Sequence, residues 1–229
     1  MNNLAIFTVW NYPTKEDFYQ ILDSLDEQGV GFVEIGIPVT NPYVDGDLIQ
    51  EAHKKVIDTG LTTSDLEEDL KLIKERYSFK VILMTYKEGG ELFDIDKLSH
   101  TLYDGIICVD QVLKASQFNS PVYIFNEDLT NQELENFLIS DSQFNYVMSG
   151  RGKTGSFDSV PSEYIKTIKR INQIKPQSKN FIGFGIKSKA DIMNVIENGA
   201  DGAIIGTAFI QIFLDKGIEG INEYLKSLK

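Results

Sequence analysis

From one end of the chain to the other, short apolar runs alternate with longer stretches in which apolar residues recur every three or four positions. That alternation is the pattern of repeated βα units around a parallel sheet. Eight runs predict strands, at residues 4–9, 32–38, 80–86, 105–110, 121–126, 144–149, 181–186 and 201–207. Each is dense in side chains that suit a strand buried on both faces. The helical period falls between them, at 14–28, 47–59, 64–77, 131–139, 161–174, 189–198 and from 208 toward the C-terminus. The first helix is the clearest. Thr14 can cap it with Asp17 three residues on, Phe18, Ile21, Leu22 and Leu25 form one stripe, and Gly29 ends it. The third and fourth units are contracted, with space for about two helical turns near 96–102 and only VLKASQF, 112–118, in the next.

Eight units in 229 residues match the usual length of a (β/α)8 TIM barrel, and no Pro, Gly or Ser-rich linker divides the chain. The expectation is one barrel domain over 1–229. An open doubly wound sheet is the competing architecture, because alternation does not itself show closure. Acidic residues outnumber basic ones, 34 to 22, for a net charge of −12. So acidic a surface repels phosphodiester backbones and anionic lipid, which sets nucleic-acid and membrane roles aside. The excess reads as a solvated outer ring of helices, as in EDFYQILDSLDEQ and SDLEEDLKLIKER. No run approaches a membrane span and the N-terminal residues do not resemble a leader, so the expected location is the cytoplasm. One cysteine, Cys108, and two histidines, His53 and His100, make a zinc site ligand-poor. Cys108 reads as core packing, and neither histidine has a catalytic companion at recognisable spacing.

In such a barrel, chemistry gathers at the C-terminal ends of the strands, and the glycine-rich segments fall there. They are SGRGKTG at 149–155, Gly183-Phe184-Gly185, and Gly206-Thr207 directly before a helix. Glycines let backbone N–H groups approach an oxyanion, and a helix N-terminus adds its dipole, so the set reads as a phosphate site; each glycine alone reads equally as a turn. A P-loop is excluded because Val147 stands where its first glycine belongs. A dinucleotide fingerprint is excluded because Ser188 replaces its third. No nicotinamide or flavin is implied. Glu34 is a lone carboxylate inside the apolar strand FVEIGIP, and alternation turns it inward with Phe32 and Gly36. Burial raises a carboxyl pKa toward the range a general acid or base needs, unless a Lys or hydroxyl pairs with it. Asp45, in the following loop NPYVDGD, either faces Glu34 across a pocket or caps the next helix.

The segment FVEIGIPVTNPYVDGDLIQEA resembles the second βα unit of the tryptophan synthase alpha subunit family, LELGIPFSDPLADGPXIQ, spacing included. FNYVMSGRGKTG is similar to that family's YLLSRXGVTG, GFGIKS to GFGISS, and GADGAIIGTAFIQ to GADGAIVGSAIVK; residues 87–131 match poorly. The resemblance implies retro-aldol cleavage of indole-3-glycerol phosphate to indole and glyceraldehyde 3-phosphate, with no metal and no cofactor. Under it, Glu34 is the general acid and base, Asp45 holds the indole N–H, and Phe7, Tyr86 and Tyr146 surround the indole. Gly155, Phe184, Gly185, Gly206 and Thr207 hold the phosphate, and Thr154 sits on a loop closing over Asp45. A tryptophan synthase beta subunit carrying pyridoxal phosphate is the implied partner. The chain departs from the pattern near the partner-facing end: no helix is expected before the first strand, SDP becomes Thr40-Asn41-Pro42, YN becomes Lys87-Glu88 after Tyr86, and the loop arginine is displaced from Gly150 to Arg151. Two other readings stay open at this stage: a barrel acting on another phosphorylated substrate, and a non-catalytic subunit that senses a phosphate ligand.

Overall fold

A computed structural model describes residues 1–152, 155 and 159–229. In chain order the elements are β1 (Leu4–Val9), α1 (Lys15–Glu27), β2 (Phe32–Gly36), α2 (Asp47–Ile57), α3 (Thr63–Arg76), β3 (Lys80–Thr85), α4 (Lys87–Leu92), β4 (Gly105–Cys108), β5 (Ile124–Phe125), α5 (Asn131–Leu138), β6 (Asn145–Met148), α6 (Tyr164–Ile174), β7 (Asn180–Gly183), α7 (Lys189–Glu197), β8 (Gly202–Ile205) and α8 (Thr207–Ser227). All ladders are parallel, in the order β4-β3-β2-β1-β8-β7-β6-β5. A single bridge between Ile106 and Pro121 joins the two ends of that order, so the sheet is a barrel with a narrow seam between β4 and β5. This decides against the open doubly wound sheet.

Helix starts follow the capping chemistry. Thr14 accepts the Asp17 amide at 3.1 Å, and Thr62 with Asp65 and Thr130 with Glu133 close full capping boxes. Gly29, at φ +71°, ends the first unit as expected. β1 matches its apolar run, and the other strands are shorter than theirs, because beyond about Gly36, Thr85, Cys108 and Gly183 the chain leaves the ladder to build the barrel mouth. In the third unit the helix lies earlier than the sequence pattern suggests. It spans Lys87–Leu92, and only a 3-10 turn, Ile95–Lys97, follows. Phe93, Ile95, Leu98 and Leu102 are buried there without helical periodicity, as anchors of an irregular segment. The fourth unit holds no helix between β4 and β5.

Side chains alternate across the strands, and two cores result. Val33, Ile35, Val81, Leu83 and Val147 pack outward against the helices. Phe32, Ile82, Ile107, Phe144 and Phe181 fill the interior. Phe144 and Phe181 stack at 4.6 Å, and Phe32 meets both edge-on at 5.2 and 5.4 Å. This aromatic layer closes the floor, so that the residues above it, Phe7 and Glu34 in one register row, open toward the mouth.

One residue departs from the expected solvated ring. Asp69 of α3 is only 2% exposed and accepts hydrogen bonds from the Trp10 indole (2.9 Å), the Asn11 amide (3.0 Å) and the Tyr19 phenol (2.9 Å), with the Lys15 ammonium at 2.7 Å. It ties the loop after β1 to α1 and α3.

Candidate active site

Glu34 sits at the centre of β2, paired in register between Phe7 and Ile82, and is 1% exposed. Its Oε1 meets no hydrogen-bond partner among the described residues. Desolvation pushes its pKa up to about 8, so at neutral pH the side chain is mainly a neutral acid. The alternative in which a Lys or hydroxyl pairs with that oxygen finds no support among the described residues.

Asp45 is 6% exposed on the loop between β2 and α2. The N-cap of α2 is Gly46, so Asp45 lies outside the capping position. A turn fixes its backbone: its amide donates to Pro42 O at 3.0 Å, and its carbonyl accepts the Gln50 side chain at 2.7 Å. The Tyr86 phenol donates to Oδ2 at 2.7 Å and accepts the Val44 amide at 3.3 Å. Burial, and then the Asp45 charge, raises the Tyr86 pKa, so the phenol stays a donor.

Both carboxyls line one cavity of about 250 Å³ at the barrel mouth, together with Phe7 and Tyr146. Tyr146 is buried; desolvation, followed by the charges of Glu34 and Asp45, raises its pKa well above the usual phenol value. Gly183 makes room for it, since a Cβ there would lie 2.2 Å from the Tyr146 oxygen. A second cavity of about 450 Å³ adjoins along β3 to β6 and shares Asp45, Met84, Tyr146 and Phe184 with the first. Tyr86 lines this second cavity. Cys108 also reaches it; half-buried, it packs against the core as expected, and its thiol is pushed up to about 11 by burial.

Gly155, Phe184, Gly185, Gly206 and Thr207 also line the first cavity. Gly155, Phe184 and Gly185 all have left-handed backbone, at φ +75°, +73° and +80°. For Phe184 that conformation is costly, and the Ser149 hydroxyl, donating to its carbonyl at 2.8 Å, helps hold it. A Cβ on Gly155 would stand 2.9 Å from the Thr207 methyl, so this close approach requires glycine. Gly206 and Thr207 form the N-terminus of α8, whose dipole and amides favour an anion. Thr154, assigned to the closing loop on sequence grounds, lies outside the described residues.

Two features escaped the sequence reading. Lys187 is the only cationic side chain among the described residues lining the first cavity. Its signal was present, as a lysine in GFGIKS where the related motif has serine. His53 is buried rather than idle: its Nδ1 accepts the Val39 amide at 3.2 Å, and burial lowers its pKa to about 4, so the ring is neutral. Among the described residues, no group of three or more His, Cys, Asp or Glu is arranged to hold a metal ion, and no helix is long and apolar enough to cross a membrane.

The model of the tryptophan synthase alpha chain family matches residues 1–228. The tryptophan synthase alpha chain of Flavobacterium psychrophilum is 30% identical, with 98% of this chain and 94% of the relative covered. That of Christiangramia forsetii is 31% identical, over 99% and 93%. A solved tryptophan synthase structure from Pyrococcus furiosus, described as concerning mutual activation of the a2b2 complex, superposes with a TM-score of 0.84 at 23% identity, over 99% of this chain and 97% of that one, which establishes likeness of fold. The chain belongs to the tryptophan synthase alpha chain family.

Proposed function

We propose that this protein is a carbon–carbon lyase of tryptophan biosynthesis that cleaves indole-3-glycerol phosphate to indole and glyceraldehyde 3-phosphate, with Glu34 and Asp45 as its catalytic pair. The observation that carries the reading is the buried, neutral Glu34 carboxyl in one cavity with the Tyr86-bound Asp45 and an anion cradle. The phosphate lies against the left-handed turns and the start of α8, with the Lys187 charge at that end. The indole lies toward Tyr146 and the adjoining apolar cavity.

The chemistry follows from the leaving group. An indole carbanion is too basic to depart, so ring carbon 3 must first gain a proton. Protonated Glu34 supplies it, and positive charge develops on the ring nitrogen. Asp45, an acceptor fixed by Tyr86, holds the N–H and stabilises that charge without reorganising. The carbon–carbon bond then breaks, and its electron pair restores the aromatic ring. The adjacent side-chain hydroxyl becomes the aldehyde as its proton passes to the Glu34 carboxylate. The donated proton stays on indole carbon 3, and Glu34 ends protonated as it began.

A beta-type subunit is the proposed partner, docking on the barrel mouth where Thr40-Asn41-Pro42 and Lys87-Glu88 alter the family's surface. The cytoplasm is the proposed compartment, where a lone thiol such as Cys108 stays reduced. The assay is indole release from indole-3-glycerol phosphate by the purified chain, alone and with a beta subunit. The parent releases indole, and Glu34→Gln lowers the rate at least a thousandfold. Persistent activity in that variant would remove Glu34 from its role. Tight phosphate binding without turnover under both conditions would favour a sensing subunit, and turnover of a different phosphorylated compound would favour a changed substrate.

A further inference from the structure

We propose that Glu88 is a positioning residue, which holds the loop between β2 and α2 and through it sets Asp45 from within this chain. The inference rests on the role given to Asp45 above. Glu88 stands on α4, outside both cavities described, yet its carboxylate reaches across to that loop. Its Oε1 accepts the Thr40 amide at 2.9 Å and the Thr40 hydroxyl at 2.6 Å, and the carboxylate also accepts the Asn41 amide. The preceding amide, of Val39, donates to His53. Three consecutive loop amides, 39 to 41, are thus satisfied by side chains from two flanking helices rather than by a ladder or a turn of their own.

The segment that carries Glu88 is seated for this. A Cβ on Gly89 would lie 2.5 Å from the Thr85 hydroxyl and 2.9 Å from a Val39 methyl, so glycine there lets α4 close on the loop. Two residues before Glu88, Tyr86 donates to the Asp45 carboxylate and accepts the Val44 amide. One short stretch, Tyr86 to Gly89, therefore grips both ends of the six-residue span from Thr40 to Asp45. The charge on Glu88 suits an acceptor of three hydrogen bonds. Partial burial pushes its pKa up, but the Thr40 hydroxyl and the Thr40 and Asn41 amides outweigh burial and hold it below the ordinary value. Asn41 occupies the place of an acidic residue in the related motif, and in this chain the carboxylate at this loop is that of Glu88 on α4.

The test compares the full-length chain with Glu88→Gln and Glu88→Ala, and with Thr40→Val as a milder variant that removes only the hydroxyl bond. Amide hydrogen exchange of residues 39–45 should accelerate about tenfold in Glu88→Ala and less in the other two, with exchange in the barrel strands unchanged. Indole release should fall about tenfold in kcat for Glu88→Ala, while inhibition by inorganic phosphate, which reads the opposite end of the cavity, stays as in the parent. Affinity for an unreactive indole phosphate lacking the side-chain hydroxyls should fall for Glu88→Gln when Asp45 is present and not in an Asp45→Asn background, because the residue acts through Asp45. Unchanged exchange at 39–45, or equal losses in both backgrounds, would overturn the proposal, as would a loss of phosphate affinity matching the loss of rate. If the parent released no indole, the reading of the reaction would fall, and the exchange measurement would still decide whether Glu88 holds the loop.

Discussion

A carboxyl that keeps its proton in the folded state reports on stability as well as catalysis. Glu34 has a folded pKa of about 8 against 4.5 for the free side chain. Below about pH 4.5 it is protonated in both folded and unfolded chains and costs nothing. Between 4.5 and 8 the unfolded chain releases the proton that the folded one retains, so stability falls as pH rises through that window. Glu34→Gln removes the penalty. It should gain a few kcal/mol over the parent at pH 8 and nothing at pH 4, as read by urea unfolding at both values. Tyr86→Phe tests the neighbouring contact. Without the phenol, Asp45 loses its fixed donor, and indole release should fall about tenfold in kcat with little change in KM. At this scale the sequence was informative about Glu34, since a single charge in a strand of alternating faces has few places to point. It was silent on Tyr86 as the partner of Asp45, because 41 residues separate them and only the β2 and β3 ladder brings them together. It misread Asp69, whose place beside Leu66, Leu70 and Ile73 on the buried stripe of α3 was a signal that the acidic run around it concealed.

The elements divide between those that carry the fold and those that shape the site. Asp69 belongs to the first kind, and Asp69→Ala leaves the buried Trp10 and Asn11 donors without their acceptor; the cost should be about 3 kcal/mol of stability by denaturant unfolding, with phosphate affinity at the distant cradle retained. Gly183 belongs to both. Gly183→Ala drives a methyl into the Tyr146 ring, and relief requires the ring to move out of the cavity between Glu34 and Asp45. A loss of about 1–3 kcal/mol in stability should accompany a larger proportional loss of indole release. Strong periodic helices and apolar strands were legible with ends within three residues, mostly too long, since the pattern of buried residues continues past the last ladder bond. The third unit was not legible in detail. Its buried side chains, Phe93, Ile95, Leu98 and Leu102, anchor a chain with no regular period, and α4 forms where Gly89 and Gly90 weaken any helical signal.

As a whole, the molecule is acidic, with a net charge of −12, so under the proposed function long-range repulsion would oppose a phosphorylated substrate, and the backbone amides and Lys187 lining the first cavity would have to compensate at close range. Barrel closure could be counted from eight units but not seen in them, because it depends on β1 pairing with β8 and on the seam at Ile106 and Pro121. The seam falls where the fourth unit has no helix, and the larger apolar cavity lies against it. Its place beside Asp45 and Tyr146 is where the proposed reaction would seat its aromatic fragment. The proposed cleavage depends on a buried acid delivering its proton to that fragment, and the pH dependence of single-turnover indole release tests this most directly. The rate should be level from pH 6 to 7, decline with a midpoint near 8 as Glu34 loses its proton, and be abolished in Glu34→Gln at every pH. A rate that holds steady through pH 9, or a decline that survives in the glutamine variant, would contradict it.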